Sequence, residues 1–239
     1  MLEKLIYGAR QLGLVLTPQQ MQQFQLYYEE LIEWNNRINL TAITDYEEVQ
    51  LKHFLDSLTL VPVIQRITHA EGGLTLLDVG TGAGMPGLPL RIALPEVKVT
   101  LMDSVAKKTA FLQHLIDKLC LDYVNILTGR AEEMAHRPDY REKFDIVVSR
   151  AVTKLPTVVE LTLPFCRVGG IAIAQKKGDI EEELSNAAKA MDILGGKTRE
   201  IIKIALQLLE PRLIIVMEKV AATPTRYPRR AGMPEKRPL

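Results

Sequence analysis

Leu74-Thr-Leu-Leu-Asp-Val-Gly-Thr-Gly-Ala-Gly-Met-Pro-Gly87 decides the fold. An apolar run that meets Gly80, Gly82, Gly84 and Gly87 reads as a buried strand, a tight loop and the start of a helix. Glycine lets backbone N–H groups approach a ligand with no Cβ in the way. The stretch is therefore a nucleotide-cofactor loop.

Two glycine patterns overlap in it. Gly82-x-Gly84-x-x-Gly87 fits the dinucleotide fingerprint, in which a pyrophosphate sits on the N-terminus of the following helix. Gly80-x-Gly82-x-Gly84 behind Asp78 instead resembles the first motif of class I S-adenosylmethionine (SAM) methyltransferases. Charge separates them, because a carboxylate at Asp78 repels a pyrophosphate and attracts the ammonium of the methionyl moiety. Pro86 points the same way, since it removes a donor from the turn that would cradle phosphate.

The 239 residues allow a sizeable core without disulfides or metals. Cys120 and Cys166 stand among apolar neighbours and form no metal-ligand pair, so both are expected to be inert core residues in a reducing compartment, with no metal bound. No apolar run reaches membrane-spanning length, and Met1 to Ile6 lacks the layout of a signal peptide, so the expected location is the cytoplasm. The net charge of +1 is unevenly placed: residues 1–70 carry five Lys/Arg against eight Asp/Glu, and residues 219–239 carry six against one. A basic terminus on a nearly neutral body suits local contact with a polyanion.

Ahead of the glycine loop the pattern is helical. Leu2, Leu5, Ile6, Ala9 and Leu12 lie on one face, with Gly13 closing the helix. Thr17-Pro18-Gln19-Gln20 supplies a capping box for a helix running from Pro18 towards Asn35, with Met21, Phe24, Tyr28 and Leu31 as its core face. Thr44-x-x-Glu47 caps a third helix with Leu51, Phe54, Leu55 and Leu58 on one side. His53 and Asp56, three apart, share a face there, and a hydrogen-bonded pair is the plain expectation; Asn35, Asn36 and Asn39 shape a turn. Residues 1–66 thus read as a helical extension, 67–222 as the sheet domain and 223–239 as a basic, proline-rich tail without regular structure.

From Leu74 strands and helices alternate, the pattern of an α/β protein with a doubly wound, mostly parallel sheet. Val97–Met102 is the second strand, and Asp103 at its end is placed to take a ribose hydroxyl, as in both NAD and SAM folds. Lys107–Cys120 is a helix, Val124–Leu127 the third strand, and Gly129-Arg-Ala-Glu132 follows on the ligand side. Phe144–Ser149 is the fourth strand and runs into Arg150, which points into the crevice. No Asn/Asp-Pro-Pro-aromatic motif accompanies it, which argues against amine methylation, and no Pro-Cys nucleophile is present for pyrimidine chemistry. Gly170–Gln175 is the fifth strand and a helix spans residues 179–194. Arg199–Leu206 and Arg212–Lys219 make a terminal antiparallel hairpin, turning at Glu210-Pro211-Arg212, and complete a seven-stranded Rossmann-like methyltransferase sheet.

Taken together, the blocks Trp34-Asn-x-x-Ile-Asn-Leu-Thr41, His53-Phe-Leu-Asp-Ser57, Asp78 to Gly87, Gly129 to Glu132, Ser149-Arg-Ala151 and Tyr227-Pro-Arg-Arg-x-Gly-x-Pro234 resemble the RsmG family, also called GidB, from end to end. The resemblance implies methylation at N7 of a guanine in the decoding-region (530) loop of 16S rRNA, with SAM as donor. It implies cofactor contacts at Gly80, Met85, Ala131, Glu132 and Arg150, where Met85 replaces the commoner Phe or Leu, beside Asp78, Gly82, Gly84 and Asp103 from the loop reading. Arg150, Arg229 and Arg230 are the candidates for ordering RNA and the site, and no residue is assigned as catalytic base. The expected partner is 16S rRNA, free, in an assembly intermediate or in the small subunit, with no membrane partner and the chain acting as a monomer. Alternative readings are a methyltransferase of another RNA or a small molecule, a nicotinamide-dependent dehydrogenase, and a non-catalytic ribosome-assembly factor.

Overall fold

Side chains alternate across a sheet, and in this protein the alternation divides the core in two. The computed structural model describes residues 2–67, 73–150, 153–178 and 180–239. Ala151, which closes the fourth-strand block, and Asp179, expected to open a helix, lie outside them. The strands are β1 (Thr75–Val79), β2 (Lys98–Asp103), β3 (Val124–Thr128), β4 (Phe144–Ser149), β5 (Cys166–Lys176), β6 (Gly196–Leu206) and β7 (Leu209–Lys219). They form one sheet in the order β3-β2-β1-β4-β5-β7-β6, with β7 antiparallel to both neighbours and the rest parallel. The strand order reverses between β1 and β4, which opens a crevice beyond their carboxyl ends.

One face of the sheet is covered by α1 (Glu3–Gln11), α2 (Pro18–Ile38), the run α3 (Tyr46–Val49), α4 (Asp56–Leu58) and α5 (Val61–Ile64), then α6 (Gly87–Ala93) and α7 (Ala106–Leu119). Leu5, Phe24 and Phe54 from these helices share a core with Leu76, Ile146, Ile173 and Val216. The other face carries α8 (Ala131–Met134), α9 (Leu155–Thr162), α10 (Glu181–Leu194) and the single turn α11 (Met233–Lys236). There Leu77, Val147, Ala174 and Met217 pack with Val158, Leu163 and Ala187. Among the described residues, no helix is long and apolar enough to cross a membrane.

The capping box forms as expected: Thr17 Oγ1 accepts from Gln20 N at 3.2 Å, and Gln20 Oε1 accepts from Thr17 N at 2.9 Å. The buried face of α2 is Phe24, Tyr27 and Leu31, with Met21 and Tyr28 only half-buried, so Tyr27 takes the place expected for Tyr28. Asp45, not Thr44, caps the third helical run, because its carboxylate reaches the amides of both Glu47 and Glu48. That run passes through a π-helical segment, Gln50–Leu55, between α3 and α4.

Three further expectations are corrected. Cys120 is exposed at the end of α7, and Cys166 alone of the two cysteines lies in the core. The β6–β7 hairpin turns at Gln207 and Leu208, and Glu210-Pro211-Arg212 lies inside β7. A register shift between Ile204 and Leu206 absorbs Pro211, which has no ladder N–H to offer. The tail is not a loose arm, since Tyr227, Pro228 and Pro234 are buried and residues 233–236 form a helical turn. The Arg141 guanidinium holds it by donating to the carbonyls of Ala135, Thr223, Pro224 and Tyr227. One planar cation satisfying four carbonyls fixes a segment whose prolines already limit its freedom.

Candidate active site

The glycine loop is built from three directions. From the sheet, the amides of Gly80 and Thr81 both donate to Met102 O at 2.9 Å. From beneath, Asp78 Oδ2 accepts from Thr81 Oγ1 at 2.6 Å and from Gly87 N at 2.8 Å. From α2, the Tyr27 hydroxyl donates to Ala83 O at 2.5 Å. A Cβ at Gly84 would lie 2.6 Å from that hydroxyl, so the close approach requires glycine. Burial pushes the Tyr27 phenol well above its ordinary pKa and keeps it a donor.

Gly82 has φ +60°, and a Cβ added there meets nothing within 4 Å. The loop thus faces open space on its ligand side, and the Gly82 amide donates to Asp103 Oδ2 at 3.0 Å. Asp103 Oδ1 accepts from Val105 N at 2.9 Å, and Lys108 Nζ stands 3.7 Å from Oδ2. A carboxylate offers about four acceptor directions, so Asp103 keeps capacity for ribose hydroxyls.

Asp78 is placed differently from the expectation. It is fully buried beneath the loop, and its Oδ2 braces the backbone while Oδ1 is buried without a partner among the described residues. Burial raises its pKa to about 6 against these hydrogen bonds and the charge of Arg150. Met85 is likewise buried, in the core shared with the helices. Beyond β3, Ala131 and Glu132 open α8 at the carboxyl end of the sheet, and Glu132 Oε1 accepts from Gly232 N of the tail at 2.8 Å.

Across the crevice, Arg150 donates from Nη1 to Lys52 O at 3.1 Å and to Asp56 Oδ2 at 3.2 Å. Asp56 Oδ1 is held by Arg212 Nε and by Gln175 Nε2, the latter at 3.1 Å. The π-helical segment brings His53 beside this cluster, its Nε2 2.8 Å from Thr41 Oγ1. His53 and Asp56 are therefore each bound elsewhere, not simply to one another. Burial first, and the Arg150 charge second, lower the His53 pKa to about 4, so the ring is neutral at physiological pH. A cavity of about 780 Å³ opens here, lined by Asp56, Arg150, Gln175 and Arg212 and also by Lys52, Lys154 and Lys177, with Glu183 and Glu235 among them.

The tail arginines divide. Arg229 forks onto Glu160, which is fully buried, with Nη2 to Oε2 at 2.6 Å and Nε to Oε1 at 2.9 Å. Its guanidinium is an internal clamp, whereas Arg230 is exposed. Tyr27, Gln175, Arg212 and Arg141 were not singled out from sequence; each acts through a partner 56 or more residues away in the chain.

A sequence model of the GidB family, described as rRNA small subunit methyltransferase G, matches residues 20–212. The chain is 49% identical over 239 residues to "Ribosomal RNA small subunit methyltransferase G" of Dehalococcoides mccartyi strain CBDB1, covering all of both chains. It is 50% identical to the protein of that name from Lachnoclostridium phytofermentans over 98% of this chain and 96% of the relative. Among solved structures, MtNAS in complex with MTA and tNA superposes with a TM-score of 0.54 at 13% identity, over 83% of this chain and 70% of that one. TrmN from Thermus thermophilus gives 0.52 at 17% identity, over 70% and 48%.

Proposed function

Because the chain belongs to the rRNA small subunit methyltransferase G family, we propose that it transfers a methyl group from SAM to N7 of a guanine in the 530 loop of 16S rRNA. The observation that carries this is the open glycine cradle at the sheet's switch point, linked through Arg150, whose charge reaches Asp78 beneath the cradle, to a cavity that Arg150 lines and a base can enter. Bound at the cradle, SAM supplies an electrophilic methyl group. The backbone at Gly80 and Gly82 makes room for it, Gly84 lets the loop close on Tyr27, Asp103 meets the ribose, Ala131 and Glu132 flank the adenine, and Arg150 stands between cofactor and base. Asp78 supports the loop from below.

Guanine N7 carries a free lone pair and loses no proton on methylation, so the residues need only align acceptor and donor. The site suits that demand, since His53 is neutral and occupied by Thr41, and Asp56 is held by Arg150 and Arg212. Lys52, Lys154, Lys177 and Arg230 meet phosphates around the rim, while Arg229 keeps the tail in place. In this division, residues 1–66 and 223–239 complete the site that residues 67–222 present.

Incubation with methyl-labelled SAM and 16S rRNA, free and in small subunits, tests the proposal. Label in 16S rRNA, abolished by a guanine-to-adenine change at one position of the 530 loop, is the expected result. Label confined to small molecules or to another RNA would overturn it.

A further inference from the structure

We propose that the cavity between the π-helical segment and the carboxyl ends of β4 and β5 takes the target guanine and reads its Watson–Crick edge through Gln175 and Asp56. The inference rests on the reading of the chain as a guanine-N7 methyltransferase and adds how the base is selected.

Gln175 is 7% exposed and lines the cavity. Its amide orientation is dictated by its neighbours: Nε2 lies 2.9 Å from Asp56 O, 3.1 Å from Asp56 Oδ1 and 3.1 Å from Thr59 Oγ1. Two of these three are pure acceptors, so the NH2 group must face them and Oε1 must face away. Oε1 is then buried with no partner among the described residues. Buried acceptors of this kind are rare and costly, and one on a side chain that lines a cavity calls for a donor on the ligand.

Asp56 supplies the second acceptor. It is 4% exposed, its Oδ1 is saturated by Gln175 and Arg212, and its Oδ2 accepts from Arg150 with a lone pair to spare. Gln175 and Asp56 touch and both line the cavity, so a base that enters it meets the two side chains together.

Among the four RNA bases, guanine alone presents two adjacent donors, N1–H and the 2-amino group. Adenine and cytosine pair one donor with an acceptor, and uracil flanks one donor with two acceptors. Bases extruded into enzyme sites are read on this edge. A guanine gripped there keeps N7, on the five-membered ring across the base, away from the wall and free to meet the methyl donor. Its O6, next to N1, is the natural partner for the cation at Arg150.

The test is a cycle between enzyme and substrate, using 16S rRNA assembled by splinted ligation with guanosine or inosine at the target. Inosine keeps N7, N1–H and O6 and lacks only the 2-amino group. Wild-type kcat/KM should be roughly 10- to 100-fold lower for inosine, the cost of leaving one buried acceptor unpaired. In Gln175→Leu the two substrates should converge, however slow the variant is overall, because damage to folding lowers both alike. Equal rates on guanosine and inosine with the wild type, or an undiminished preference in Gln175→Leu, would overturn the assignment. If the wild type methylates N7 of neither substrate, the underlying reading fails and the pocket with it, a result distinct from transfer that ignores the 2-amino group.

Discussion

The Tyr27 hydroxyl donates a 2.5 Å hydrogen bond to the Ala83 carbonyl, tying helix α2 to the glycine loop across 56 residues of sequence. Tyr27 is fully buried, so Tyr27→Phe removes one oxygen and leaves the Ala83 carbonyl unpaired in the interior. An unsatisfied buried acceptor costs about 1–3 kcal/mol. Part of that should appear as lost stability and part as loosening of the loop, so calorimetric affinity for S-adenosylhomocysteine should fall by about tenfold. Unchanged affinity would mean the loop holds its shape without α2.

Gly82→Ala separates the fold from the cofactor. An added Cβ meets nothing within 4 Å, so the cost to folding is the left-handed backbone alone, about 1–2 kcal/mol. The methyl group projects into the space proposed for the cofactor. Thermal unfolding should show a folded protein that S-adenosylhomocysteine no longer stabilises; wild-type stabilisation by ligand would place the cofactor elsewhere.

Asp78 gives the protein a pH-dependent stability of definite sign. Its folded pKa of about 6 lies above the ordinary carboxyl value of 3.8, so the native state holds the proton more tightly. The stabilisation is full below about pH 4, declines as pH rises through 6 and is absent above, a swing on the order of 3 kcal/mol at 1.36 kcal/mol per pH unit. Urea unfolding of the wild type and Asp78→Asn across pH 4–7 should show the difference between them changing in that window. Parallel curves would show that Asp78 keeps an ordinary pKa.

Arg229 and Arg230 are neighbours with opposite expectations. Arg229→Ala leaves the fully buried Glu160 carboxylate unpaired and should cost about 3–5 kcal/mol, much of it recovered in Arg229→Ala combined with Glu160→Leu. Arg230→Ala should leave stability within about 0.5 kcal/mol. It should instead weaken RNA binding and lower the slope of log affinity against log salt by roughly 0.7–0.9. Denaturant unfolding and salt titrations distinguish the two; equal loss of stability in both would put Arg230 inside the clamp.

Local chemistry was legible in the sequence and long-range chemistry was not. Thr17 and Gln20 announce the start of α2 because both halves of the capping box lie within four residues. The glycine loop announces its strand and turn for the same reason. Tyr27 and Tyr28 are both compatible with a helical core stripe, and what selects Tyr27 is a carbonyl far along the chain. The π-helical segment keeps the same apolar spacing as an α-helix, so nothing in Gln50–Leu55 marks the extra residue in the turn. The tail reads as disordered by composition, yet Arg141 and Glu160, both remote in sequence, hold it. Gln175 carries no local signal, because its amide is pinned at one end by Asp56, 119 residues away, and is unpartnered at the other among the described residues.

The most direct measurement is the identity of the modified nucleoside. Small subunits from cells lacking the methylation are incubated with the protein and SAM bearing a trideuterated methyl group, and the 16S rRNA is digested and analysed by mass spectrometry, with borohydride–aniline cleavage to locate the base. The expected result is 7-methylguanosine three mass units heavier than the unlabelled nucleoside and a single cleavage in the 530 loop. Deuterium in any other nucleoside, or cleavage outside that loop, would contradict it.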